Sequence, residues 1–243
     1  DDHSMYLNAI VDHTINAMFK LNGGINFRHL QSHNYAKIDD LFGANHFLDI
    51  DFFAEPINDY SLEQVAQSDV QNPNRLVSQG DIYKYNYDLN ATSLQAFSQL
   101  QFATKNIETY FSANVSSTSY ERFGNYQNGL FPDNSLGRSK ELNFIDFGLK
   151  SGITYHFTGR HSVSSNLFFA SNPPTLQNSF ANPRQNNTVV QDLDSEQMYS
   201  VDATYRYRSP NFNFKVSGYF TQFRNVTDVS FYYVDGLSGL GRN

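Results

Sequence analysis

The segment FIDFGLKSGITYHF, residues 144–157, alternates between two kinds of side chain over its whole length. Successive side chains of a strand point to opposite faces of its sheet, so this alternation predicts a single two-faced β-strand. The strand would be longer than the ~5–6 residues usual in soluble sheets and long enough for the ~9–11 residues that cross a bilayer at a tilt. Taken alone, the segment fits a long half-solvated strand equally well. Its mainly apolar face would carry Ile145, Phe147, Leu149, Ser151, Ile153, Tyr155 and Phe157.

The composition excludes several classes of protein. The 243 residues carry a net charge of −7 and form no basic stripe, so we expect no nucleic-acid partner. Cysteine is absent, which excludes disulfides and thiolate chemistry. No run approaches the ~18 apolar residues of a membrane helix. The 22 Phe and 16 Tyr, with few charges, suit alternating strands joined by polar loops.

Eight strand patterns follow one another along the chain. Short turn signals join the two strands of each successive pair, and the first of these signals is Asn22-Gly23-Gly24. The longest irregular stretch, residues 39–80, contains Ser61 at a position that could cap a short helix. The strand patterns cover about 6–21, 25–38, 85–103, 107–120, 144–157, 161–170, 197–208 and 212–223, with the start of a ninth at 229–234.

The connections alternate between short and long. A soluble sandwich has no reason to place every long loop at one end, whereas an outer-membrane barrel does. The order therefore favours an all-β, antiparallel up-and-down transmembrane β-barrel fragment over a soluble all-β domain, which stays the alternative. We expect residues 1–243 to form a partial barrel domain of about eight strands, residues 39–80 to be a long extracellular loop, and both ends to be cuts within a longer protein.

The polar faces of the predicted strands would line a wet lumen, while the apolar faces meet lipid. The predicted lumen-facing residues are Asp146, Lys150, His156, Asp202, Arg206 and Lys215.

Several segments resemble the barrel region of TonB-dependent outer-membrane transporters of the Bacteroidetes type. They are residues 93–102, 120–137, 152–184 and 194–223, and the resemblance covers most of the chain from about Asn22 onward. It rests on strand-and-turn patterns such as SLQAFSQLQF and YERFGNYQNGLFPDNSLG. It implies a slice of a ~22-stranded barrel in the outer membrane of a Gram-negative bacterium.

The resemblance also implies a function. The parent protein would import a scarce nutrient such as a siderophore, haem, cobalamin, a glycan or a peptide, driven by the TonB complex acting on a plug region that this sequence lacks. Its partners would be outer-membrane lipid, the TonB complex and a small nutrient ligand. The motifs that carry the resemblance do not identify which of these nutrients is the ligand. A passive porin or a structural or adhesive barrel is the alternative.

No catalytic fingerprint occurs, so we expect neither an enzyme nor a cofactor. His29 and His33 would share a strand face but lack neighbouring carboxylates, so we predict no metal site there. The acids Asp39, Asp40, Asp49 and Asp51 could bind Ca²⁺, although a solvated acidic loop is the simpler interpretation.

Aromatic and Arg side chains of the predicted outer loops are the candidate ligand-binding residues, because they offer stacking and directional hydrogen bonds. The alternative is that they belong to an aromatic girdle or pack the loops. The candidates are Tyr120, Arg122, Phe123 and Tyr126 just beyond the fourth strand, with Arg138 and Arg184 in loops of the same side.

Overall fold

In the part of the chain that the structure describes, eight long strands form one antiparallel sheet, and each of them pairs with its neighbours along the chain. The computed structural model describes residues 1–54 and 60–229. The prediction of an all-β, antiparallel, up-and-down fold is confirmed. The elements are β1 (Asp2–Thr14), β2 (Phe19–Lys37), β3 (Phe47–Leu48), α1 (Leu62–Val65), β4 (Leu76–Val77), β5 (Ile82–Ala103), β6 (Ile107–Gly124), β7 (Gly137–Arg138), β8 (Leu142–His156), β9 (His161–Asn172), a 3-10 turn (Gln177–Ser179), β10 (Glu196–Arg208) and β11 (Asn213–Arg224).

The sheet is open within the described residues. Its order is β1-β2-β5-β6-β8-β9-β10-β11, with β7 paired to β6, while β3 and β4 form a separate two-stranded sheet. The edge strands β1 and β11 do not pair with each other, so the sheet is not closed into a barrel. The predicted ninth strand at 229–234 lies, except for its first residue, outside the described residues.

The first hairpin turns earlier than the sequence predicts. Gly23 and Gly24 are not a turn but lie within β2, opposite β1 on one side and β5 on the other. An added Cβ at Gly24 would lie 2.5 Å from the Ala9 carbonyl oxygen, so glycine serves here for close approach between strands. The actual turn is at residues 15–18, where the Asn16 side-chain oxygen accepts hydrogen bonds from the backbone N–H groups of Met18 and Phe19.

The predicted alternation of short and long connections is confirmed. Turns of three or four residues close the hairpins β1-β2, β5-β6, β8-β9 and β10-β11, and the connections after β2, β6 and β9 are long. Since successive strands run in opposite directions, all long connections lie at one end of the sheet, the long-loop end, and the hairpin turns lie at the other. Ser61 caps α1 within the first long connection, as predicted.

The two faces of the sheet differ in character. On what we call the outer face, register places Phe147 beside Val115 and Leu149 between Ala113 and Phe169, and all of these except Ala113 are large apolar side chains. Ile145, on the same face, is 79% exposed and Leu149 is 41% exposed. The opposite, inner face carries Asp146, which is 1% exposed. The sheet thus exposes its apolar face and covers part of its polar face.

The small apolar core lies on the inner face at the long-loop end. Tyr87 and Leu89 of β5 pack with Phe180, which comes from the connection after β9, and Leu176 and Val189 complete the cluster. The connection after β9 therefore folds back onto the inner face. No helix among the described residues has both the length and the apolar character needed to cross a membrane.

All six residues predicted to face a lumen share the inner face by register. Lys150 lies over the Phe168 ring, with its Nζ 5.1 Å from the ring centroid. Asp202 accepts hydrogen bonds of 2.9 and 3.1 Å from Asn166, and the His156 Nε2 lies 3.3 Å from a Glu108 carboxylate oxygen. Arg206 and Lys215 lie opposite each other on the neighbouring strands β10 and β11.

Asp146 differs from the prediction of a wet position. It is buried, and neither of its carboxylate oxygens has a hydrogen-bond partner among the described residues.

Candidate ligand-binding site

The three long connections contact one another and form a layer over the inner face. We call the described residues of 38–81, 125–141 and 173–195 the loop layer. The Val70 backbone N–H donates to the Gln127 carbonyl at 2.8 Å, which joins the first connection to the second. The Asn187 backbone N–H donates to the Asn134 carbonyl at 2.7 Å, which joins the third to the second. The layer is therefore one hydrogen-bonded unit.

Arg122 anchors this layer to the sheet. Its Nε donates to the Pro183 carbonyl at 2.7 Å, and one Nη donates to the Ser135 carbonyl at 2.9 Å and to the Asn187 side-chain oxygen. The guanidinium also lies over the Tyr87 ring, 5.1 Å from its centroid. Arg122 is 2% exposed, so it holds loops in place and is not open to a ligand.

An ion pair within the first connection, with Asp49 buried and Arg75 half-buried, also hydrogen-bonds to β5. The Asp49 carboxylate binds Arg75 at 2.5 Å and accepts a 2.9 Å hydrogen bond from the Lys84 backbone N–H. Lys84 has a φ of 60° and lies where the β2-β5 register shifts, so the bond holds a bulge in an uncommon conformation. Burial opposes the charge of Arg75, but hydrogen bonds to Asp49 and Tyr126 outweigh it and hold the pKa of Arg75 above its ordinary value.

This bulge forms one wall of a cleft of about 920 Å³ in the loop layer. The other walls come from the first connection, from the connection after β6 around Leu130 and from the connection after β9. Ligand sites in proteins are typically clefts of ~300–1,000 Å³ that combine apolar walls with a few polar groups. The lining residues with aromatic or charged side chains are Phe47, Asp51, Phe52, Phe53, Lys84, Tyr85 and Arg184.

The aromatic part of the cleft is partly ordered by ring contacts. Phe47 makes edge-on contacts with Phe52 and with Tyr83, at centroid distances of 5.9 and 5.8 Å. The Arg184 guanidinium lies over the Tyr85 ring at 5.2 Å. The cleft therefore places stacking surfaces next to cationic groups.

Arg184 is the one predicted binding residue that lines this cleft. The expectation that Tyr120, Arg122 and Phe123 lie beyond the fourth strand was wrong, because β6 continues to Gly124. Tyr120 packs against Phe144 on the inner face, with ring centroids 5.7 Å apart.

The other three candidates also lie away from the cleft. Phe123 pairs with Arg138 of β7, and Arg138 binds the Glu121 carboxylate at 2.7 and 2.8 Å. The Tyr126 ring lies 4.8 Å from the Arg75 guanidinium. These contacts correspond to the loop-packing alternative.

Sequence reasoning missed most of the residues that line the cleft. Phe47, Phe52 and Phe53 stand in the long irregular stretch, where large apolar residues are unexpected unless they pack or bind. That was the available signal. Lys84 and Tyr85 gave no such signal, because the sequence pattern around them is that of an ordinary strand.

A second cavity of about 480 Å³ lies near β1, β2 and β5, lined by strand residues that the register places on the outer face. His33 contacts the Asn86 side-chain oxygen there at 2.7 Å, while His29 contacts the Thr92 hydroxyl at 2.9 Å. Within residues 1–54 and 60–229, no group of three His, Cys, Asp or Glu residues could hold a metal ion.

We expect Gly129→Ala to loosen the loop layer. An added Cβ at Gly129 would overlap the Gln64 carbonyl oxygen, and the Gly129 N–H donates to the Gln67 carbonyl at 2.9 Å. Hydrogen exchange should therefore become faster in residues 64–70 and 127–131. Gly159→Ala, in the β8-β9 turn, is the matched control because nothing lies within 4 Å of its added Cβ. Unchanged exchange in Gly129→Ala would contradict tight docking of these loops.

The protein is thus an open antiparallel meander whose apolar outer face is exposed. A loop layer packs on its inner face and forms a cleft. Comparison of the chain with models of known families, with curated proteins and with solved structures gave no match.

Proposed function

We propose that this chain is part of a transmembrane β-barrel in the outer membrane of a Gram-negative bacterium, and that the barrel belongs to a TonB-dependent receptor importing a scarce nutrient. The observation that carries the proposal is the exposed apolar outer face. A soluble sheet buries its apolar face, because burying apolar surface is the main favourable term in folding. A lipid-facing strand does the reverse, with apolar side chains outward and polar ones inward.

The height of the apolar face fits a bilayer. From Ile145 to Tyr155, β8 makes ten residue steps. At ~3.4 Å per residue and a tilt of ~40°, these steps span ~26 Å, close to the ~25 Å apolar band of outer-membrane barrels. Above Ile145 the outer face turns polar with Asn143 and its neighbour Ser119. At the opposite end of the apolar band, next to the hairpin turns, aromatic side chains lie on the outer face as in an interfacial girdle. They are Tyr155, Phe157, Tyr205, Tyr207 and Phe214.

The open edges fit a partial barrel. β1 and β11 each leave a row of backbone groups without a partner among the described residues. Unpaired backbone groups cost several kcal/mol each in lipid, so a membrane-spanning sheet must close on itself. The proposal therefore requires further strands to pair with β1 and β11.

The loop layer favours a receptor over a passive porin. A porin needs an open water-filled channel, whereas this layer packs on the inner face and forms a cleft of the size that binds small molecules. Dependence on TonB rests on the resemblance of the strand-and-turn segments. It is tested by comparing nutrient-limited growth with and without TonB, since a porin would support growth equally in both strains.

A bilayer-confined quencher tests membrane contact. The chain has no Cys, so a fluorophore can be attached to single variants. In the complete protein in lipid bilayers, nitroxide lipids should quench probes at Phe147→Cys, Leu149→Cys and Ile153→Cys. Probes at Lys150→Cys and Thr154→Cys, on the inner face, should be quenched little. Equal quenching on both faces, or none on either, would rule out the membrane strand and favour a soluble all-β domain.

A further inference from the structure

We infer that the cleft in the loop layer binds a small amphipathic anion: an aromatic or aliphatic body that carries one negatively charged group. The inference rests on the proposed function only in taking this ligand to be the imported nutrient. The cleft's own side chains carry the chemical argument.

Two cations of the cleft, Arg184 and Lys84, form no ion pair within residues 1–54 and 60–229. Each instead lies over a tyrosine ring, Arg184 over Tyr85 and Lys84 over Tyr83, both at 5.2 Å. Stacking fixes the plane of a guanidinium and leaves the N–H groups at its edge free to donate. Such a group suits a carboxylate, sulfonate or phosphate oxygen pair.

The apolar wall accounts for the body of the ligand. Phe53 is 92% exposed and Phe52 is 63% exposed, although both line the cleft. An aromatic side chain buries ~150–250 Å² when it is covered, so these rings offer substantial apolar area to a bound molecule. Phe52 is also held by its edge contact with Phe47. A purely polar anion would leave this area in water.

The lining also limits the ligand's charge. Asp51 lines the same cleft, and its carboxylate accepts a 3.0 Å hydrogen bond from the Phe53 N–H. Among the described lining residues, one carboxylate against two cations leaves a single positive charge, which a monoanion neutralises and a polyanion exceeds. A neutral ligand would desolvate Arg184 without compensation, and burying an unpaired charge is costly.

The matched probes are 4-phenylbutanoate and its neutral amide, 4-phenylbutanamide. Calorimetric titration of the complete protein should show the acid binding at least ~10-fold more tightly than the amide, since a hydrogen bond between two charged partners is stronger than one to a neutral amide. Arg184→Gln should weaken binding of the acid ~10-fold and leave the amide unchanged. Phe52→Ala should weaken both. Arg138→Gln is the control, because Arg138 is exposed, paired with Glu121 and outside the cleft.

Equal affinity for the acid and the amide, absence of binding by either, or an unchanged affinity in Arg184→Gln would overturn the inference. These failures differ from failure of the proposed function. Lipid quenching without selective binding of the acid would remove the ligand class alone. Selective binding without lipid quenching would keep the ligand class and remove membrane transport.

Discussion

Leu149→Arg in the complete protein is expected to reduce assembly into the outer membrane sharply, while Lys150→Leu is expected to have a small effect. Leu149 lies on the outer face near the middle of the apolar band, beside Ala113 and Phe169. Arg at a lipid-facing midplane position costs ~2–4 kcal/mol, a large share of the ~5–15 kcal/mol that stabilises a typical protein. Lys150 lies on the inner face opposite Ser112, and its replacement loses only solvation and the contact with Phe168.

The measurement is the amount of each variant in the outer-membrane fraction, together with its heat-modifiable mobility in gels. Leu149→Met is the control for loss of the leucine shape, since a volume-conserving apolar change usually costs less than ~1.5 kcal/mol. Normal assembly of Leu149→Arg would contradict lipid contact at this position. Equal damage from Lys150→Leu would show that the two faces do not differ in the way proposed.

Arg122→Met is expected to release the loop layer from the sheet. The change removes the donors to the Pro183 carbonyl, the Ser135 carbonyl and the Asn187 side-chain oxygen. A buried acceptor left without a donor costs ~1–3 kcal/mol, so we expect a loss of about 3 kcal/mol in loop-layer stability. Hydrogen exchange should become faster in residues 134–139 and 180–189, with the mid-strand amides of β5 and β6 remaining protected.

Arg138→Met is the matched control for Arg122→Met. Its ion pair with Glu121 is exposed on the Arg138 side, and exposed pairs contribute ~0–1 kcal/mol. Arg122→Lys should resemble Arg122→Met, because one ammonium cannot reproduce the planar donor fork that reaches three acceptors. Wild-type exchange rates in Arg122→Met would show that the loops dock without this side chain.

The strands could be predicted because their information is local. Residues 144–157 were predicted as one strand and the structure gives Leu142–His156, with the apolar and polar faces as expected. The prediction of a turn at residues 22–24 was wrong for a physical reason. Glycine permits both a tight turn and close approach of neighbouring backbones, and the difference at Gly24 lies in contacts with Ala9 and Phe97 from other strands.

The candidate site was less predictable because long-range contacts build it. Arg122 was predicted to lie in a loop as a candidate binding residue, with loop packing as the alternative. It is instead a strand residue, 2% exposed, that donates to the carbonyl of Pro183, 61 positions away. The cleft likewise combines Phe52 from the first long connection with Arg184 from the third. Residue type singled out Arg184, which lines the cleft, but no local pattern shows which loops fold back over the sheet.

The meander also has a consequence for how such a sheet can change in size. Each strand pairs only with the strands before and after it in the chain. A hairpin could therefore be duplicated or deleted at one place in the gene without rethreading any other connection, and the alternation of short turns and long loops would be preserved. Sheets of this kind can widen in steps of two strands, and each added pair brings one more long loop to the end where the cleft lies.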